Sequence, residues 1–375
     1  MPTLGVIGQS RKENEHRLPI HPDHFDLVPP GLRGSIRFEA GYGEALGVDV
    51  AELTRRFGGV ASREEILATS DIVLLPKVLA EDLREMREGG TLWGWPHCVQ
   101  QPEITQVAID RRLTLLAWEA MFAWKRGGVR DMHLFDRNNE MAGYCGVIHA
   151  LGLVGKDGFY GPPCRACVIS HGSVSRGAIF ALQGRGFQDI TVFTQRPPWA
   201  VHDKITGCRY GQMMPGEDGG IVVDTEGVRR TFVEALAEAD VIVNGILQDT
   251  DSPLMFLQEG EERRLKRNAL IVDVSCDLGM GFHFARPTSF EEPCFPVGRA
   301  TYYGVDHTPT YLWRSASWEI SRVVVAFVET VMGGPEAWER NETVRRAIEI
   351  RDGVIQNANI LRFQNRSAEY PHQHL

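Results

Sequence analysis

The order of short apolar runs along the chain predicts an α/β protein with two Rossmann-like domains on parallel sheets. Three observations carry this. Through residues 1 to 125, five strand candidates alternate with four stretches of helical period. A second alternating series begins near Asn138 and centres on a strand, a small-residue turn, a helix and another strand. After Tyr303 the pattern becomes helical, and helices so placed are expected to return to the first series. The middle domain is then an insertion, with expected boundaries of 1–130 plus 306–375 for the outer domain and 131–305 for the inserted one.

In chain order, the strands of the first series are LGVIG (4–8), IRFEA (36–40), DIVLLP (71–76), TLWGW (91–95) and LTLLAW (113–118). Helices near 50–57, 62–69, 79–88 and 102–111 fit between them, and a turn follows the second strand at Gly41 and Gly43. Met141, Tyr144, Val147, Ile148, Leu151 and Val154 recur at helical spacing and open the second series. A strand at Ala166–Ile169 leads into Gly172 and Ser173, a helix to about Gly186 and a strand at Ile190–Thr194. A helix from about Thr225 to Glu238 precedes strands at 240–244 and 269–275, and helices near 314–332 and 335–350 close the chain.

Composition narrows the function class. At 375 residues, 43% hydrophobic and 24% charged, the chain can bury a sizeable core in two domains. A formal charge of −9 argues against nucleic acid or an anionic membrane as partner, both of which require a basic face. No apolar run approaches the roughly 20 residues of a membrane span, and the start lacks a secretory signal, so the cytoplasm is expected. Seven scattered cysteines form no disulfide framework. Cys164 and Cys167 make a CxxC without a second pair at zinc spacing, so core thiols are expected and no metal site. His16, His21 and His24 cluster near the start, and His372 and His374 fall in a polar tail expected to be solvated.

The run from Ser170 to Gly177 is an imperfect glycine-rich turn, with Gly only at the second of the three fingerprint positions. That position allows the closest backbone approach to a pyrophosphate. About 20 residues on, a carboxylate would receive the ribose 2′-hydroxyl of NAD, whereas an arginine accommodates the 2′-phosphate of NADP. The second strand here ends Thr194, Gln195, Arg196, with no acid in reach, which predicts NADP. Arg176 and Arg196 could equally be solvated surface charges.

In the outer domain Arg17, Lys77 and His97 fall at or just beyond strand ends, or in the loops that follow, where ligands bind in open α/β sheets. An arginine can clamp a carboxylate, and Lys and His can exchange protons. A snorkelling lysine and a satisfied histidine in a Trp-rich loop are the plainer alternatives.

KENEHRLPIHPDHF (12–25) resembles the N-terminal signature of the superfamily of alanine dehydrogenase, transhydrogenase and lysine-forming saccharopine dehydrogenase. FEAGYGEALG (38–47), GFYGPP (158–163), GSVSRGAIFALQGRGF (172–187), NGILQDTDSP (244–253), VDVSCDLGMGF (272–282), YGVDHTPTYLWRSAS (303–317) and GVIQNANILRFQNR (353–366) resemble blocks of its carboxyethylornithine synthase family. The resemblance implies two domains around a cleft and the reductive condensation of pyruvate, or another 2-oxo acid, with an amino acid's amine by NADPH. It implies that Arg17 grips the pyruvate carboxylate, that Lys77 and His97 handle protons with Glu119 beside them, and that Asp277 stands at the nicotinamide edge. Lys77, Asp306 and His307 would also meet the substrate, the last two from a closing loop. Gly172, Ser173, Val174, Ser175, Arg196, Asn244, Gly245, Ile246, Leu247 and Val274 would hold the cofactor. Alanine dehydrogenation, saccharopine-type chemistry and a noncatalytic NADP binder are the alternatives, and the C-terminal helices could supply a homo-oligomer face. Relatives carry Gly where this chain has Ser170, and a Cβ there is expected to crowd the pyrophosphate.

Overall fold

The computed structural model describes residues 1–216, 219–248 and 252–375. The chain forms two compact units, Met1–Asp136 with Trp313–Leu375 and Arg137–Leu312.

The first unit is built on β1 (Leu4–Val6), β2 (Ile36–Glu39), β3 (Val60–Ala61), β4 (Ile72–Lys77), β5 (Thr91–Trp95) and β6 (Thr114–Ala117). These six lie parallel in the order β3-β2-β1-β4-β5-β6. The strands Ile348–Arg351 and Val354–Ile355 extend the β6 edge antiparallel. Chain direction along the sheet reverses between β1 and β4, a topological switch point of the kind that opens a ligand crevice beyond the strand carboxyl ends. Both faces are buried, as a parallel sheet requires. Leu74, Trp93 and Leu116 pack one way, with Ile320, Val324 and Val328 of the helix Trp313–Met332. Val73, Leu75, Leu92 and Leu115 pack the other way, with Ile66, Leu83 and Ile104 from the helices Arg63–Thr69, Ala80–Glu85 and Pro102–Asp110. Ser62 caps the first of these by accepting the Glu65 N–H, and Pro102 opens the last, where a missing N–H does no harm.

The second unit opens with α1 (Asp136–Val154), which begins at the boundary. It continues with β7 (Arg165–Ile169), α2 (Ser173–Gly184), β8 (Asp189–Thr194), β9 (Cys208–Pro215), β10 (Ile221–Thr225), β11 (Val228–Thr231), α3 (Phe232–Ala237), β12 (Val241–Asn244), β13 (Leu270–Asp273), β14 (Cys294–Val297) and β15 (Ala300–Tyr303). Strands β9-β8-β7-β12-β13-β15 are parallel neighbours in that order, the 3-2-1-4-5-6 arrangement of a Rossmann sheet. β10 and β11 extend one edge antiparallel and β14 the other. The fold is α/β with two Rossmann-like sheets.

Three expectations are corrected. The stretch Thr225–Glu238 is not one helix: Val228–Thr231 pairs with β10 as a hairpin strand, and only Phe232–Ala237 is helical. Glu226 and Gly227 take left-handed backbone there, which ends any helix and turns the chain. The stretch 335–350 breaks at Asn341, which caps a new short helix, and ends in a strand. His372 is not solvated. It is 1% exposed, and its Nε2 accepts the Ile355 N–H at 3.0 Å. Cys167 is a buried thiol of β7, Cys164 is half-buried, and neither is in a disulfide.

Candidate active site

Lys77 is the last residue of β4, and a register shift between Leu75 and Lys77 sets it opposite Trp95, the last residue of β5. Its carbonyl accepts the Ser10 hydroxyl at 2.6 Å, tying it to the loop beyond β1. His97 follows β5 and takes left-handed backbone, φ +48°, an unfavourable conformation for a histidine that its surroundings must hold. Its N–H donates to Glu119 Oε1 at 2.6 Å, and its Nε2 lies 3.0 Å from Lys77 Nζ. Glu119 sits just past β6, on a short turn of 3₁₀ helix, Trp118–Ala120. Burial first, and the charge of Glu349 second, push its carboxyl well above the ordinary carboxylate range.

Arg17 lies well beyond β1 rather than at its end, and its guanidinium stands 5.1 Å from the Trp95 ring centroid. It is buried in a paired fork with Glu15, Nε to Oε1 at 2.8 Å and Nη2 to Oε2 at 2.5 Å. A bidentate pair of this kind fixes the plane of the guanidinium. The unit thus brings Lys77, His97 and Glu119 together at neighbouring strand ends and sets Arg17 beside β5. Two participants were not singled out from the sequence. Glu15 lies two residues from Arg17, a spacing that could have suggested the pair. Glu349 comes from the returning strand and left no local signal.

In the second unit the turn after β7 starts α2 at Gly172, with no side-chain cap on the first amide groups. A Cβ built on Gly172 meets nothing closer than Ser170 Oγ at 3.9 Å, so the space over this helix end is open. Uncapped amides and the helix dipole there suit a phosphate group. Gly177 packs α2 against α1 so tightly that a Cβ would lie 1.7 Å from the Glu140 carbonyl oxygen. Ser175 donates to the Ile169 carbonyl at 2.9 Å and closes the turn. Ser170 has φ +82°, the region where glycine is free of strain and a Cβ costs roughly 1–2 kcal/mol.

Arg196 is exposed just beyond β8, its carbonyl held by the Thr194 hydroxyl at 2.6 Å. Arg176 Nη1 donates to the Asp203 carbonyl at 2.9 Å and lies 3.4 Å from His171 Nε2. Burial first, joined by the charges of Arg176 and Arg196, lowers the His171 pKa. The same Asp203 carbonyl, in the following loop, lies 3.3 Å from His171 Nε2.

At the carboxyl end of β12, Asn244 donates to Asp273 Oδ1 at 2.9 Å, and its own Oδ1 accepts the Ile246 N–H at 3.3 Å. Asp273 also accepts the Cys276 N–H and the Tyr302 hydroxyl, and burial pushes its pKa up to about 7. Gly245 and Leu247 extend the same segment, while residues 249–251 of that motif lie outside the described residues. Val274 and Asp277 follow β13, with burial raising the Asp277 pKa. His307 is buried, its Nδ1 2.6 Å from Asp306 Oδ1 and its ring edge-on to Phe290.

Residues 163–358 match the family described as alanine dehydrogenase/PNT, C-terminal domain. The N(5)-(carboxyethyl)ornithine synthase of Clostridium botulinum is 26% identical over 318 residues, covering 82% of this chain and 88% of its own. The alanine dehydrogenase of Mycolicibacterium smegmatis is 24% identical over 365 residues, covering 92% of each. Among solved structures, an L-alanine dehydrogenase matches the fold with a TM-score of 0.74 at 17% identity, covering 96% of this chain and 98% of that one. The transhydrogenase from Sinorhizobium meliloti matches with a TM-score of 0.69 at 17% identity, covering 95% and 99%. Among the described residues, no helix is long and apolar enough to cross a membrane.

Proposed function

The chain belongs to the alanine dehydrogenase/PNT family, and from that premise we propose that it condenses pyruvate with the amine of an ornithine-like amino acid and reduces the resulting imine with NADPH. The product is an N-(1-carboxyethyl) amino acid, with one water released. The observation that carries the reading is the Lys77–His97 contact at 3.0 Å, backed by Glu119. Resemblance along the chain to a carboxyethylornithine synthase supports the choice of substrates.

When bound, NADPH supplies a hydride to the imine carbon. The open turn at Gly172, with the Ser173, Val174 and Ser175 backbone, fits its pyrophosphate. Arg196 would meet the 2′-phosphate, and Asn244 to Leu247 with Val274 would complete the holding set. The other steps, formation of the carbon–nitrogen bond and loss of water, are assisted by proton transfers from this chain's side chains.

The amine must be neutral to attack the keto carbon, so a base is needed; the carbinolamine must then lose water, so an acid is needed. In this reading Lys77 takes the amine proton or holds the carboxylate, and His97 protonates the carbonyl oxygen, recovers a proton from the nitrogen once it has added, and passes that proton to the departing hydroxyl. Arg17, held in plane by Glu15, grips the pyruvate carboxylate and sets the face presented for attack. Asp277, Asp306 and His307 are further candidate site residues, all in the second unit. A cytoplasmic enzyme acting on small molecules is the corresponding setting.

The test is NADPH consumption with pyruvate and a panel of amines that includes ammonia, ornithine, lysine and arginine. Turnover with an amino acid amine supports the proposal. Turnover with ammonia alone makes the chain an alanine dehydrogenase, and a requirement for 2-oxoglutarate with lysine makes it saccharopine-type. Retained NADPH binding without turnover makes it a noncatalytic binder.

A further inference from the structure

The chemistry above leaves unused a carboxyl of the same unit that is more deeply buried than Glu119, whose side chain is 26% exposed. Glu349 is 5% exposed, on the returning strand that pairs with β6 just before Glu119. Its Oε1 accepts from Asn357 Nδ2 at 3.0 Å, and its charge acts on the buried thiol of Cys98, the residue next to His97. Its Oε2 has no hydrogen-bonding partner, and neither has Glu119 Oε2. Two ionised carboxylates, each with an unsatisfied buried oxygen, would be doubly unfavourable. A proton on one of them removes most of that penalty.

The surroundings decide where the proton belongs. Glu119 faces Lys77, His97, Cys98 and Glu349, and His133 Nε2 lies 3.1 Å from the carbonyl of the preceding Trp118. Glu349 faces Cys98, Asn357 and Glu119. Lys77, whose charge acts on Glu119, is already in contact with His97. Cys98 is neutral, its thiol pushed up by burial and by both glutamates.

We propose that Glu349 is a positioning residue for the acid–base pair: it and Glu119 hold one proton between them, so that the carboxyl behind His97 stays uncharged. This rests on the reading of Lys77 and His97 as the proton-transfer pair. An ionised Glu119 would bind the imidazolium and keep the proton on it. An uncharged one leaves the imidazole to pass its proton to substrate and take it back.

Infrared spectroscopy of the full chain reads the proton directly. At pH 7 Glu119→Gln is expected to lose one component of the protonated-carboxyl absorption seen in wild type, beyond the Asp273 contribution that both proteins carry; if that substitution leaves the spectrum unchanged, the proposal is overturned. Glu349→Gln keeps the side chain's size and an acceptor for Asn357 while removing the like charge. It should lower the pH at which Glu119 ionises by about one unit or more, and an unmoved titration overturns the idea. The high-pH limb of kcat should move down with it while KM holds, and Glu349→Asp should restore the profile. If Glu349→Gln does not fold, the comparison of wild type with Glu119→Gln decides. The infrared arms need no turnover. An inactive protein with the expected spectra therefore discards the functional reading, whereas an active one with unmoved spectra discards only the shared proton.

Discussion

Nζ of Lys77 lies 3.0 Å from Nε2 of His97, although the two are 20 residues apart in sequence. The sheet makes this contact: β4 and β5 are adjacent and parallel, so their carboxyl ends emerge side by side. The left-handed backbone of His97 and the bond from its N–H to Glu119 hold the ring in place.

Replacing His97 by Phe, or Lys77 by Met, should lower kcat for imine reduction by roughly 10²- to 10⁴-fold, the usual worth of a positioned proton-transfer group. NADPH affinity, read by fluorescence titration, should hold, because neither side chain belongs to the second unit. Unchanged turnover in both variants would remove this pair from the mechanism.

Arg196→Asp should weaken NADPH relative to NADH by about tenfold or more, the scale of one charged hydrogen bond lost. Calorimetric titration with both cofactors checks it. A preference for NADPH that survives would shift the 2′-phosphate to Arg176, which lies on the same turn beside His171.

Gly177→Ala should destabilise the protein by roughly 1–3 kcal/mol, because the new Cβ overlaps the Glu140 carbonyl and overpacked interfaces relax only by moving backbone. α2 carries the open turn, so NADPH should also raise the melting temperature less than it does in wild type. A variant that melts and binds like wild type would show that the helices can part without consequence.

Asp273 makes stability depend on pH in a definite direction. The unfolded chain releases this proton near pH 3.8 and the folded chain keeps it to about pH 7, so the folded state binds more protons across that window. Its contribution is complete below the lower value and lost as pH rises through the upper one. Asp273→Asn should flatten the difference in urea midpoint between about pH 4 and 7 relative to wild type. Equal slopes in the two proteins would mean that Asp273 is ionised in the fold.

Much of the architecture was legible locally. Apolar runs of strand length, with helical periods between them, anticipated β1, β2, β4, β5 and β6 and the β7–α2–β8 unit, because alternation and small-residue turns act over a few neighbouring residues. The hairpin of β10 and β11 escaped for the opposite reason. Val228–Thr231 is short and mostly exposed, and only pairing with Ile221–Thr225 makes it a strand.

The sequence by itself determined the two alternating series, the strand–turn–helix at Gly172 and the candidates Arg17, Lys77 and His97, since these are properties of residue type and short-range spacing. Only the tertiary structure decided that Glu15 locks Arg17, that Glu349 stands behind Glu119, that Asp203 approaches His171 and that His372 is buried against Ile355. Apart from the Glu15–Arg17 pair, these relationships join segments far apart in sequence. Strand register and packing bring such segments together, and the chain's local pattern does not specify which ones meet.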